Sequence, residues 1–320
     1  MPLMSFFVYI LCLAAATAAC WLAQRLAKTY RFRFLTSYFG FLVGINILGL
    51  LNLVVNNLAA QVLGNLPDQS MRTIYILFGL VAFPFMAVIF YFLLDFVVGI
   101  LDEKFSPVFR AFYIALWVVL VSAFLMRIQL ALQGRRLPFL EILNAIAALV
   151  ILTIPIAAFI YLTLRSAQRF HSQEKDGLRA FALVSLTCYV LYLLTFIIYG
   201  AGTMARLAVP VCLFVASAAP VLVLNRFLAR FSRPVLLGDF SGALADRFNR
   251  EHRLSTREGE ILALLLSGKS NKEIEKALFI SPNTVRNHVY NIYQKLEVSS
   301  RLQLMNRLRT WSDSGAGQPR

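Results

Sequence analysis

Within NKEIEKALFISPNTVRNHVYNIYQKL, residues 271–296, eight side chains could do chemistry with a partner. They are Lys272, Asn283, Thr284, Arg286, Asn287, His288, Tyr290 and Lys295. Asparagine and arginine present planar sets of hydrogen-bonding groups that match base edges in a DNA groove. Threonine, histidine and lysine beside them can reach phosphate oxygens. Catalytic sets are missing. The three histidines, His171, His252 and His288, lie outside the apolar runs, and no paired carboxylates, HExxH or GxSxG pattern occurs. Cys12, Cys20, Cys188 and Cys212 sit in apolar runs without metal-ligand spacing and read as small buried or lipid-facing side chains. We therefore expect no enzyme, no metal site and no cofactor.

Such a set needs a helix to hold it, and the local signals for one are present. Ser281 is a good N-cap, and Pro282 suits the first helical position. Val285, Val289, Ile292 and Leu296 then recur at helical spacing and form a buried stripe. Opposite it lie Asn283, Asn287, Tyr290 and Gln294, with Arg286 on one flank and Thr284, His288, Asn291 and Lys295 along the other. Upstream, Ser255 with Glu258 and Ser270 with Glu273 form S-x-x-E capping boxes that open two more helices. Gly268 ends the first of these, Phe279-Ile280-Ser281 turns the chain, and a short helix near 301–308 closes the unit.

The stretch from Leu254 to Arg307 is similar to the LuxR-type (GerE-like) DNA-binding domain. The resemblance rests on Arg257-Glu258, Gly268, NKEI, FIS, TV-x-x-H from Thr284 to His288, and KL-x-V followed by Arg301. It implies a four-helix domain whose third helix enters the major groove and whose last helix pairs two copies. It further implies that Arg286, Asn287 and Tyr290 face bases, while Lys272, Thr284, His288 and Lys295 hold the backbone. The chain departs from the family at Glu275, where a small alanine is usual. Glu275 must tilt outward or find a cationic partner.

The rest of the chain is of another kind. Of 320 residues, 59% are hydrophobic and 15% charged, and the mean hydropathy is +0.70. Soluble domains carry about a quarter charged residues, so a large membrane part is implied. Seven apolar runs are long enough to cross a bilayer as helices: 3–23, 35–58, 73–98, 110–126, 139–164, 180–200 and 206–225. The first lacks a basic leader and reads as a retained span. The net charge is +15. The first, third and fifth loops hold 10 Lys/Arg and the opposite side holds 5. Positive loops stay cytoplasmic, which puts the N-terminus outside and the C-terminal domain inside.

Asn46, Asn52, Asn56 and Asn57 fall on one arc of the second span. Amides avoid lipid, so the arc faces the bundle interior. Two readings stay open: interhelical hydrogen bonding, or the lining of a signal-sensing pocket that Glu141 and Asn144 could join. Gly40 and Gly44 have small-xxx-small spacing for close helix packing. Asp95 reads as a solvated carboxylate near the inner end of the third span.

The expected architecture is all-α: a seven-transmembrane-helix bundle over 1–225, a juxtamembrane linker over 226–253, a four-helix LuxR-type domain over 254–309 and a tail over 310–320. The linker, with a short amphipathic helix possible over 242–252, would reach about 90–100 Å if extended. Expected partners are double-stranded DNA, the lipid bilayer, a second copy through the C-terminal domain, and an unknown small-molecule or membrane signal. The expected location is the bacterial cytoplasmic (inner) membrane. A transporter with a regulatory domain, or a scaffold whose helix-turn-helix binds protein, are the competing readings.

Overall fold

The computed structural model describes residues 2–30, 32–61, 68–103, 105–133, 137–169, 172–198, 203–231, 242–298 and 300–311. Seven long helices come first: α1 (Pro2–Tyr30), α2 (Arg33–Gln61), α3 (Asp68–Ile100), α4 (Pro107–Leu132), α5 (Pro138–Arg169), α6 (Ser172–Ile198) and α7 (Thr203–Phe231). Five short ones follow: α8 (Ala243–Glu251), α9 (Thr256–Leu266), α10 (Asn271–Leu278), α11 (Pro282–Lys295) and α12 (Arg301–Trp311). The described residues contain no strand.

All of α1–α7 are long and apolar enough to cross a membrane. Each is longer than its apolar run. The hydropathy pattern tracks the thickness of the hydrocarbon layer, whereas backbone hydrogen bonding carries a helix on through its polar ends. Thus α1 continues from the apolar run through Gln24 to Tyr30, and α6 begins at Ser172 among charged residues. Helices adjacent in sequence pack together, and α7 closes the bundle against α1 and α2. Large apolar side chains point outward over α1–α7, among them Leu11, Phe112, Phe139 and Leu164, each more than 60% exposed. A surface of that kind suits lipid and not water.

Inside, Tyr38, Phe96, Phe159 and Phe181 pack ring to ring, with centroids 4.7 Å apart for Tyr38–Phe96 and 5.6 Å for Phe96–Phe181. Gly40 and Gly44 let α2 close on α3. A Cβ on Gly44 would stand 2.5 Å from Ile89 Cγ1, and one on Gly40 3.2 Å from the Phe92 ring. Asp95 is not fully solvated: it is half-buried and accepts a 2.6 Å hydrogen bond from Ser37 of α2. Glu141 instead pairs with Arg127 on the surface, and Asn144 donates to the Leu140 carbonyl of its own helix.

The junction with the C-terminal unit differs from the expected linker. α7 runs on to Phe231, so Arg226 and Arg230 belong to its last turns. The segment 242–252 does form a helix, α8, but as part of the folded unit. Phe248 is fully buried, 5.0 Å from the Trp311 ring, and the Trp311 indole donates to Glu251 at 2.6 Å. Gly259 of α9 accommodates the contact, since a Cβ there would meet the Asn249 amide of α8 at 2.5 Å. The unit therefore starts near 242 and includes Trp311, leaving ten residues, 232–241, between it and α7.

Candidate nucleic-acid interface

The caps build the site. Ser255 accepts from the Glu258 N–H at 3.3 Å while its own N–H donates to the Glu258 carboxylate at 2.7 Å. Ser270 and Glu273 repeat the exchange at 3.3 and 2.8 Å. Ser281 accepts from the Thr284 N–H at 3.1 Å, with Pro282 next to it in the chain. Each cap fixes where its helix begins and contributes about 1 kcal/mol. Between α10 and α11 the chain turns at Phe279, held left-handed at φ 53°. A non-glycine residue there is strained, yet its ring is 94% exposed and gains nothing from burial. The turn sets the crossing of α10 and α11.

α11 buries Val285 and Ile292 completely, and Leu296 caps its end. Val289 is half-buried on the same stripe. They pack with Leu262, Leu265 and Ile274 of α9 and α10. The opposite face presents Asn283, Arg286, Asn287 and Tyr290, all exposed, and none of them makes a hydrogen bond or ion pair among the described residues. Lys272 on α10 is likewise exposed. Thr284 and His288 are half-buried at the margin, and the Thr284 hydroxyl shares a 2.8 Å hydrogen bond with Ser281. What results is a convex polar ridge with unengaged donors.

Lys295 stands apart. Expected to hold a phosphate backbone, it instead points into the unit. Its ammonium lies 2.6 Å from Glu258 and donates to the Arg253 carbonyl at 2.9 Å. Glu258 is buried, and burial raises its carboxyl, but the bonds from Lys295 and Ser255 outweigh this and hold it below its ordinary value. Glu275 is half-exposed and makes no ion pair among the described residues. It resolves the family departure by tilting outward, and its carbonyl accepts from the Ile280 N–H at 3.3 Å.

Residues 252–308 match the family of bacterial regulatory proteins named luxR. They are a LuxR-type helix-turn-helix domain. This segment is 52% identical over 52 residues to the uncharacterized transcriptional regulatory protein YhcZ of Bacillus subtilis, covering 16% of this chain and 24% of YhcZ. It is 54% identical over 50 residues to the transcriptional regulatory protein LiaR of Bacillus subtilis, covering 16% of this chain and 24% of LiaR. It is 42% identical over 62 residues to the uncharacterized response regulatory protein YgeK of Escherichia coli, covering 19% of this chain and 42% of YgeK. The likeness thus spans less than half the length of these relatives and leaves the seven long helices outside it. No solved structure matches the chain.

The LuxR-type domain rests against one end of the bundle, a contact that sequence reasoning missed. The Tyr293 hydroxyl of α11 donates to Asp102 of the α3–α4 loop at 3.4 Å. Arg301 of α12 lies 5.9 Å over the ring of Phe32, in the α1–α2 loop. The same guanidinium donates to the Lys269 carbonyl at 3.1 Å and to the Leu265 carbonyl. α12 also packs on α7. Burial, then the Asp102 carboxylate, push the Tyr293 hydroxyl up, and burial pulls Arg301 down. On α12, Gln303, Leu304, Met305 and Leu308 are all buried. That arc is wider than a helix needs to cover one neighbour. The only advance signal was an acidic pair, Asp102-Glu103, in a loop on the otherwise basic side.

Of the asparagine arc, only Asn46 can be judged, because the side chains of Asn52, Asn56 and Asn57 lie outside the described residues. Asn46 is buried and joins helices. Its amide donates to the Leu42 carbonyl at 2.8 Å and lies 3.9 Å from the Cys20 sulfur of α1, and its oxygen accepts from Ser217 of α7 at 3.0 Å. For this residue the hydrogen-bonding reading holds.

Proposed function

We propose that this protein is a membrane-bound, one-component transcriptional regulator of a bacterial cytoplasmic membrane. Its seven helices span the bilayer with the N-terminus outside and the LuxR-type domain in the cytoplasm. The domain reads promoter DNA through α11, with Arg286 and Asn287 on base edges, Tyr290 beside them, and Lys272, Thr284 and His288 toward the phosphates. Two copies pair through α12. The observation that carries the reading is the unengaged polar ridge of α11 in a domain fastened to the bundle's end. A solvated ridge with no target gains nothing from such donors, whereas a groove satisfies them.

Regulation follows from the contact with the bundle. α12 packs on α7 at the bundle's end, and in this reading that contact competes with pairing. A signal received in the bundle would release it, and paired domains bind a two-fold operator far better than single ones. Mapping DNA bound by the full-length protein in cells, wild type against Arg286→Ala, tests the reading. Discrete sites lost in the variant are expected. Absence of any enriched site for the wild type, with the protein present in the membrane, would defeat it.

A further inference from the structure

The end of the bundle on which the LuxR-type domain rests divides into two electrostatic sectors. In one, acids answer the cations. Glu103 accepts from the Tyr161 hydroxyl at 2.6 Å and lies 3.7 Å from Arg165, and Asp102 accepts from Tyr293. In the other, α1, α2 and α7 pack together, and none of the three contains an Asp or Glu. They bring Arg25, Lys28, Arg33, Arg226 and Arg230 to that end. Arg25, Lys28, Arg33 and Arg226 are exposed, and none of these four makes an ion pair among the described residues.

On α1 these cations belong to a shaped surface. Ala19, Ala23 and Leu26 turn into the bundle, which leaves Trp21, Gln24, Arg25, Lys28 and Thr29 exposed along the outward arc. The five line an open hollow of ≈280 Å³. A water needs about 10–15 Å³ of such space, so the hollow admits a phosphate with its glycerol. Trp21 is 59% exposed, and the Arg25 guanidinium lies 5.6 Å over its ring. Stacking of that kind orients the guanidinium plane and leaves its N–H edge for an oxyanion. Depth agrees with charge. The first apolar run ends at residue 23, so Arg25 stands about 3 Å and Lys28 about 7–8 Å beyond it along the helix. The headgroup layer is about 5–8 Å thick on each side of the hydrocarbon. Both cations therefore reach phosphate depth, and Trp21 stays at the edge of the hydrocarbon.

We infer that the hollow on α1 is a binding site for the phosphate of an anionic glycerophospholipid of the inner leaflet. Arg25 and Lys28, one turn apart, hold the phosphate oxygens. Gln24 and Thr29 supply neutral donors to the glycerol and headgroup oxygens, and Trp21 lies against the start of the acyl chain. The occupant is a lipid and not free phosphate, because the hollow runs from phosphate depth to the hydrocarbon edge at Trp21. It is an anionic lipid and not a zwitterionic one, because this sector has no carboxylate to receive a choline ammonium. The site goes beyond the regulator reading and rests only on its placing of α1 across the bilayer with Lys28 at the inner face.

The test uses the purified full-length chain in phosphatidylcholine nanodiscs doped with phosphatidylglycerol that carries a diazirine near its glycerol. Peptide mapping should find the photolabel concentrated between Trp21 and Thr29. Unlabelled phosphatidylglycerol should remove it, whereas added phosphatidylcholine or inorganic phosphate should not. Arg25→Gln and Lys28→Gln, both at exposed positions, should each weaken that competition about fivefold, the share of one interfacial cation. Arg110→Gln removes an exposed cation from the acid-containing sector and should leave the competition unchanged. Label spread evenly over the lipid-facing helices would overturn the inference. So would removal by phosphatidylcholine or inorganic phosphate as effective as removal by phosphatidylglycerol, or an Arg110→Gln loss as large as that of Arg25→Gln. None of these readouts needs DNA. Failure of the protein to occupy DNA in cells would strike the regulator reading and leave the lipid site standing.

Discussion

Lys295→Met separates a structural lysine from a DNA-binding one. In the folded domain Lys295 stands 2.6 Å from Glu258, whose side chain is only 5% exposed, while its own side chain is 38% exposed. Removing one partner of a fully buried pair costs about 3–5 kcal/mol. Here water can reach the vacated side, and the Ser255 N–H still serves Glu258 at 2.7 Å. We therefore expect about 1–2 kcal/mol. For a domain of this size that lowers Tm by about 5–15 °C. Thermal unfolding of residues 242–320 by circular dichroism measures it. Glu258 has a folded pKa below its ordinary 4.5. The stabilisation is therefore complete above that value and is lost as pH falls through the folded one, so the wild type's advantage should shrink only in acid. DNA affinity, measured where both proteins are folded, should keep its salt dependence. A lysine on phosphate would instead reduce the salt slope by about 1. An unchanged Tm with a reduced slope would refute the assignment.

Other variants probe the remaining parts. Arg286→Ala and Asn287→Ala should each cost about 1–3 kcal/mol of specific DNA binding in titrations against the mapped operator, with little change in binding to unrelated DNA. Tyr293→Phe and Asp102→Gly should each raise promoter output without stimulus about three- to tenfold, and together no further than Asp102→Gly alone, because the bond that Tyr293 loses is one of those Asp102 makes. Glycine suits position 102, where φ is 54°. Additive effects in a reporter assay would argue against a shared contact. Gly44→Val should separate α2 from α3 and lower the yield of folded protein from membranes, since its Cβ would meet Ile89 at 2.5 Å. Ser281→Ala should destabilise the domain by about 1 kcal/mol in denaturant unfolding.

What could be read from the sequence was local. Capping boxes, Pro282 at a helix start and the stripe of Val285, Ile292 and Leu296 are set by neighbours within a few residues, and the domain follows them closely. The seven apolar runs were equally plain, but not the ends of their helices, because hydropathy stops with the oily residues and hydrogen bonding does not. Lys295 shows the limit. Helical spacing places it on the flank of α11, but its fate is decided by Glu258, 37 residues earlier on another helix. α8 looked like linker because its one fully buried side chain, Phe248, finds Trp311 only after folding. Tyr293 and Asp102 lie 191 positions apart and have no pattern in common. The acid-free sector was hidden for the same reason, since α1, α2 and α7 meet only when α7 closes the bundle.

The short stretch, 232–241, between α7 and the C-terminal unit sets a scale for the whole system. Ten residues reach at most about 33–36 Å, a third of what an unstructured 28-residue segment would allow. On the proposed reading, the domain cannot travel to the chromosome, and each operator must drift to within a few nanometres of the membrane. Genes transcribed near the envelope would be favoured targets for that geometric reason alone. Encounter between two domains likewise depends on crowding in the plane of the bilayer, so receptors per unit of membrane area, not molecules per cell, would set the threshold of the response.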